Sequence, residues 1–205
     1  KALNKSNYRV GFFITGMHML KRYGLTKIEI EKIDNVDRME FLNQCDLDGQ
    51  DTVLSKTITG FSDYVKEYSP DLVIIHGDRV EAIAAALVCV INDIRSIHIE
   101  GGEVSGNVDE LYRHCNTKLC TAHFVSSKVA RERVIKMGED PKRVFILGSP
   151  ELDIHLKSSK ISLNEVIDYY EIKWDDYGII IFHPVTSDTD TMHDQAKTFF
   201  NVMKK

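Results

Sequence analysis

At 205 residues, with 43% apolar and 28% charged side chains, the sequence has the composition of an ordinary soluble globular protein, long enough for one full domain and part of another. Its formal charge of −5 supplies no basic field for nucleic acid or an anionic membrane, so any phosphate site has to be local. No apolar run approaches the roughly eighteen residues of a membrane-crossing helix and no signal-peptide pattern is present, so a cytoplasmic protein is expected. The sequence opens on Lys1 rather than methionine and is expected to continue upstream. Cys45, Cys89, Cys115 and Cys120 form no CxxC pair and read as free thiols. A zinc site from His114, Cys115, Cys120 and His123 fits no usual ligand spacing, so no metal is expected.

In chain order, Tyr8 to Ile14 reads as a buried strand ending at Thr15-Gly16-Met17-His18. The segment through Gly49 is charged and weakly periodic, a short helix with surface loops. Asp51 to Tyr68 carries a helical apolar stripe of Val53, Leu54, Ile58, Phe61 and Val65, stopped by Ser69-Pro70. Leu72 to Ile75 is the continuous apolar run of a parallel strand covered on both faces. Next come an alanine-rich helix from Arg79 to Val90, a strand over Ser96–Ile99 and a helix over Asn107–Leu119. A short strand at Phe124-Val125, a helix over Ser127–Met137 and a strand over Val144–Leu147 complete the alternation. Such alternation implies right-handed crossovers and a parallel α/β sheet. After Pro150 a polar stretch runs to about Asp176. Gly178–Phe182 then reads as a new strand, followed by a helix from about Thr191. The expected division is residues 1–172 as an N-terminal Rossmann-like domain and 173–205 as the start of a truncated second one.

The chemistry collects where strands end. Ile97 to His114 holds four carboxylates, an arginine and two histidines within eighteen residues. Each ionisable group buried without a partner costs several kcal/mol, so a mere connection would rarely need so many. Open parallel sheets bind ligands at the carboxyl ends of their strands. Here those ends deliver Gly16 and His18; His76, Gly77, Asp78 and Arg79; Glu100 to Glu103; Gly148, Ser149 and Pro150; and His183. Each member also has a plainer reading. Asp78 with Glu81, and Asn107 with Glu110, are possible capping boxes. Asp109 and Arg113 are spaced as a surface ion pair, and His98 suits a hydrogen-bonded core position. Phosphate-loop, dinucleotide-fingerprint, nucleophile-elbow and HExxH motifs are all missing, which leaves a carboxylate and histidine site with phosphate recognition.

His76-Gly77-Asp78-Arg79, His98 through Gly106, Asp109-Glu110 with Arg113-His114, and His183-Pro184-Val185-Thr186 closely resemble the hydrolysing UDP-N-acetylglucosamine 2-epimerases. The resemblance runs from about Val10 to the C-terminus. Non-hydrolysing relatives usually carry a threonine after HGD and a single-glycine HxE loop, so Arg79 and the Gly101-Gly102 pair favour the hydrolysing branch. The resemblance implies a two-domain, glycosyltransferase-B-like fold with a UDP-sugar in the interdomain cleft, and no cofactor. It implies elimination of UDP to 2-acetamidoglucal, then hydration to N-acetylmannosamine, for sialic-acid-type biosynthesis. Asp78, Glu100 and Asp109 would carry the proton transfers. His183 would act at the diphosphate, and Arg79, Arg113 and His18 would contact substrate. Clustering carboxylates in a desolvated cleft raises one of their pKa values and makes a better base. Relatives of this kind are commonly homo-oligomers, and the 205-residue chain alone is expected to be inactive. Competing readings are a sibling enzyme for UDP-2,4-diacetamido-trideoxy sugars, a non-hydrolysing epimerase, a glycosyltransferase, and a non-catalytic nucleotide-sugar-binding module.

Overall fold

All strand pairings among the described residues of this computed structural model are parallel. Those residues are 3, 6–45, 47–156, 161–174, 176–183 and 189–203. The chain divides into two compact units, Lys1–Lys157 and Ser158–Lys205.

In the first unit β1 (Gly11–Ile14) pairs with β2 (Asp37–Glu40), with the one-turn helix α1 (Ile28–Glu31) between them. The sequence reading has only a short helix and loops here. β2 is an edge strand of sequence Asp-Arg-Met-Glu, and Met39 alone sends an apolar side chain to the core, so no apolar run betrays it. The chain then forms α2 (Gln50–Tyr68), β3 (Val73–His76), α3 (Val80–Ile91), β4 (Ser96–Ile99) and α4 (Val108–Leu119). β5 (Ala122–Val125), α5 (Lys128–Lys136), β6 (Val144–Ile146) and the single turn α6 (Leu152–His155) follow. β3 to β6 make one sheet in sequence order.

α2 buries Val53, Thr57, Phe61, Tyr64 and Val65, residues spaced along one helical stripe. Phe61 and Tyr64 meet Phe13 of β1 at ring-centroid distances of 5.1 and 5.4 Å. Val88 and Cys89 of α3 close the same cluster. Ser69 adopts a left-handed φ of 45° and returns its N–H to the Val65 carbonyl, which ends the helix before Pro70. α3 can lie close against its neighbours because Ala84 and Ala86 are small and fully buried.

Sequential strand order with right-handed crossovers places α3, α4 and α5 on one face of the sheet. The row in register on the buried face is Ile75, His98, His123 and Val144. On the other face Ile74 and Phe145 are each 50% exposed. The expectation of a β3 covered on both sides therefore does not hold within this unit, since successive same-handed crossovers supply helices to one side.

In the second unit α7 (Leu163–Tyr169) starts from a full capping box. Ser162 Oγ accepts from the Glu165 N–H at 3.2 Å, and the Glu165 carboxylate accepts from the Ser162 N–H at 2.6 Å. This helix falls in the stretch read from sequence only as polar. α8 (Thr189–Met203) matches the expected helix. Gly178–Phe182 does not form the expected strand: it joins no ladder with any described residue, and a strand exists only by pairing. Its Phe182 instead stacks on Phe199 of α8, with centroids 5.2 Å apart.

Candidate active site

Three strand-end turns of the first unit supply the site. The chain leaves β3 through Gly77 at φ +88°, and the Gly77 carbonyl accepts from His98 Nε2 at 3.1 Å and Asn116 Nδ2 at 3.2 Å. A carbonyl can only accept, so Nε2 of His98 carries the proton, while Nδ1 lies 3.2 Å from the Thr117 hydroxyl, which itself donates to the Arg113 carbonyl at 3.1 Å. His98 is fully buried, and burial pushes its pKa down to about 4, so the ring is neutral. It pins the turn that presents Asp78.

The capping reading of Asp78 is overturned. Arg79 is the N-cap residue of α3, with no side-chain cap, and Glu81 pairs with Arg79 Nε at 3.2 Å. Asp78 instead accepts from Arg113 Nη2 of α4. The surface pair between Asp109 and Arg113 is therefore also absent, because Arg113 is spent on Asp78. Arg113 is only 11% exposed, and its Nη1 is buried without a hydrogen-bond partner among the described residues.

Glu100 opens the next turn at φ +68°, a left-handed backbone that a β-carbon disfavours. Its N–H donates to the Phe124 carbonyl at 2.8 Å, and its carboxylate lies 3.0 Å from His76 Nε2. The double glycine that follows has a packing reason. A β-carbon on Gly101 would sit 3.1 Å from Thr117 Oγ1 and 3.2 Å from His98 Nδ1, and one on Gly102 would run into the Ala130 carbonyl. Arg133 donates to the Gly102 carbonyl and Ser126 to Glu103, so Glu103 anchors the loop. Glu110 accepts from the N–H groups of Gly106 at 2.7 Å and Ser105 at 2.8 Å, which hold its pKa below the usual carboxylate range. It thus reaches past the N-cap, and no reciprocal box forms. Asn107 caps α4 alone, accepting from the Asp109 N–H at 3.1 Å while its Nδ2 donates to the Asp109 carboxylate at 3.0 Å.

His18 sits on a single 3₁₀ turn, Gly16–Met19, with Nδ1 2.7 Å from Thr26 Oγ1. Gly16 receives the Glu81 side chain so closely that a β-carbon would lie 2.5 Å from Glu81 Oε1. That contact joins the His18 turn to the start of α3 and its Arg79–Glu81 pair. The structure thus links Asp78 to Arg113 and Glu100 to His76, with Asp109 one helical turn from Arg113 on α4. His183 lies in the second unit and is exposed; Pro184, Val185 and Thr186 lie outside the described residues.

One further side chain at this edge carries no sequence motif. Glu151, just after the Gly148-Ser149-Pro150 strand end, brings Oε1 to 4.0 Å from His76 Nε2. The signal was its place as the next residue of a turn already counted at the sheet edge. His76, Glu100 and Glu151 hold ligand atoms within 4.8 Å of one another, so among the described residues they are the grouping that could hold a metal ion. The His114, Cys115, Cys120 and His123 grouping does not assemble among them. Burial pushes the thiols of Cys89 and Cys120 up to about 12 and about 11, which leaves them protonated and inert.

A parallel α/β sheet with acids, an arginine and turns gathered at its carboxyl edge defines a Rossmann-like domain, and open parallel sheets bind ligands at that edge. A family model described as UDP-N-acetylglucosamine 2-epimerase matches residues 1–205, and the chain belongs to that family. It is 40% identical over 201 residues to a UDP-N-acetylglucosamine 2-epimerase of Neisseria meningitidis, covering 98% of this chain and 53% of that one. It is 34% identical over 197 residues to a hydrolysing UDP-N,N'-diacetylbacillosamine 2-epimerase of Legionella pneumophila, covering 90% and 50% respectively. The fold is that of the Methanocaldococcus jannaschii UDP-GlcNAc 2-epimerase crystallised with UDP-GlcNAc and UDP. There the TM-score is 0.74 at 15% identity, over 96% of this chain and 63% of that one. The chain spans about half the length of the curated relatives it matches. No described helix is long and apolar enough to cross a membrane.

Proposed function

We propose that the protein is a hydrolysing 2-epimerase that converts UDP-N-acetylglucosamine and water to N-acetylmannosamine and UDP. The observation that carries this reading is the pairing of Asp78 with a nearly buried Arg113 whose second nitrogen has no acceptor among the described residues, beside the His76–Glu100 pair at the same sheet edge. A carboxylate takes the C2 proton; its electron pair becomes the C1–C2 double bond as the C1–O bond breaks and UDP leaves with that bond's pair. Water then adds across the double bond, oxygen to C1 and a proton to C2 from the opposite face. Asp78, Glu100 and Asp109 are the proposed proton carriers. Arg113, Arg79 and His18 are proposed to position substrate, and His183 to stabilise the departing diphosphate. Residues 1–172 then form the N-terminal domain and 173–205 open the second one, in a homo-oligomeric full-length enzyme.

The test is turnover of the full-length protein in D2O. Deuterium at C2 of free N-acetylmannosamine is expected; turnover without C2 exchange contradicts the mechanism, and UDP-N-acetylmannosamine as product would assign the non-hydrolysing reaction. The relative from Legionella favours a second reading, a UDP-2,4-diacetamido sugar as substrate. UDP release from both sugar nucleotides, compared at equal concentration, separates the two.

A further inference from the structure

Gly148 turns the chain back after β6 at φ +89°, and Ser149 donates its hydroxyl to the Glu151 carboxylate. Glu151 faces His76 at 4.0 Å, and His76 faces Glu100 at 3.0 Å. Three turns, after β3, β4 and β6, thus meet in one line: Ser149, Glu151, His76, Glu100. Stability does not explain it. The side chains of His76 and Glu151 are 47% and 53% exposed, and ion pairs so open to water contribute little. Orientation does explain it. A lone imidazole at a sheet edge can rotate and can carry its proton on either nitrogen, whereas here Nε2 lies within hydrogen-bond reach of Glu100 at 3.0 Å and the negative charge of Glu151, 4.0 Å away, favours the proton on that same nitrogen.

We propose that Glu151 is a positioning residue of the reaction centre, holding the His76 ring with its Nε2 proton toward Glu100 so that the Glu100 carboxyl meets the sugar in one orientation. The assignment rests on the epimerase reading and adds no bond-making step to it. The Ser149 hydroxyl first, then a backbone N–H, keep the Glu151 pKa below the usual carboxylate range, so its charge persists at neutral pH.

Two measurements test it. In the full-length protein, Glu151→Gln keeps the shape and removes the charge; kcat for UDP release should fall roughly 10- to 100-fold with KM for UDP-N-acetylglucosamine changed by less than about twofold. Glu151→Asp, which keeps the charge, should recover part of the loss. Unchanged kcat in Glu151→Gln overturns the proposal, and so does a raised KM at constant kcat, which would place Glu151 on the substrate. The second measurement needs no turnover. Long-range 1H–15N spectra of the imidazoles should show His76 as the Nε2–H tautomer in the wild type and as a mixture in Glu151→Gln. The same tautomer distribution in both overturns the proposal. Wild-type protein that releases no UDP while the tautomer shifts as expected would instead sink the epimerase reading and leave the positioning role standing.

Discussion

His98 and His76 belong to adjacent strands of one sheet and differ in almost every physical respect. His98 lies on the helix-covered face, fully buried and neutral, tied to Gly77 and Thr117. His76 ends β3 at the sheet edge, about half exposed, between the carboxylates of Glu100 and Glu151. The first histidine fixes the backbone of the turn that presents Asp78; the second meets the Glu100 carboxylate at the open edge of the sheet. Residue type alone says nothing of that division. Position along the strand decides it, because a parallel sheet buries its middle and opens its carboxyl ends.

The comparison breaks first at the carboxylates. Asp78→Asn and Glu100→Gln should each lower UDP release by the full-length protein roughly 10²- to 10⁴-fold, the range expected for losing a general acid or base; Glu100→Gln should barely move the melting temperature, whereas Asp78→Asn should lower it as well, because it strips the counter-charge from the nearly buried Arg113. His76→Ala should follow them in activity and, like Glu100→Gln, spare stability. His98→Ala should do the reverse. Deleting a buried ring that makes two hydrogen bonds should cost about 2–4 kcal/mol, visible as a melting temperature lower by roughly 4–16 °C. If His98→Ala melts normally and His76→Ala melts early, the division of labour is wrong.

Acid sharpens the same contrast. The pKa of His98 falls from 6.5 to about 4 on burial, so the folded form resists a proton that the unfolded chain accepts. Stability is therefore complete above pH 6.5 and declines as pH drops toward 4. By about pH 5 the loss should be roughly 2 kcal/mol, and the burial that lowers the His123 pKa acts in the same sense. Urea unfolding at about pH 7.5, 6.5 and 5 measures it. A flat midpoint through that window would mean that His98 is not held neutral.

Much of this architecture is legible in sequence for a simple reason. Apolar runs such as Val73–Ile75 and stripes such as Val53 to Val65 are the direct cause of the strands and helices they form. β2 was illegible because an edge strand with charged alternation is stabilised by pairing, which no local pattern records. Gly178–Phe182 misled for the opposite reason: the apolar run is present and the partner is missing among the described residues. At the site, motif residues mark the turns, yet the pairings are not the local ones. Asp78 with Glu81, and Asp109 with Arg113, are neighbours in sequence, whereas Arg113 reaches 35 residues back to Asp78. Local spacing rules cannot weigh a tertiary partner against a local one. Glu151 is silent in sequence because a single acid after a turn carries no signal until the sheet brings it to His76.

The smallest effect separates capping from positioning at Asn107. Its Oδ1 accepts from the Asp109 N–H and the Ser105 hydroxyl, while its Nδ2 donates to the Asp109 carboxylate. Asn107→Ala removes both roles and should cost about 1 kcal/mol of stability, the usual value of an N-cap. Asn107→Asp keeps the cap, since aspartate serves that position as well as asparagine and favours the positive end of the helix. It replaces the donor to Asp109 with a second negative charge, however. If Asp109 is only a first-turn acid, Asn107→Asp should match the wild type in both melting temperature and UDP release. If Asp109 carries a proton during turnover, the variant should melt like the wild type and still lose several-fold in kcat, with its pH optimum moved upward by the added charge. The two measurements on this one variant therefore decide whether α4 contributes to the site through Arg113 alone or through Asp109 as well.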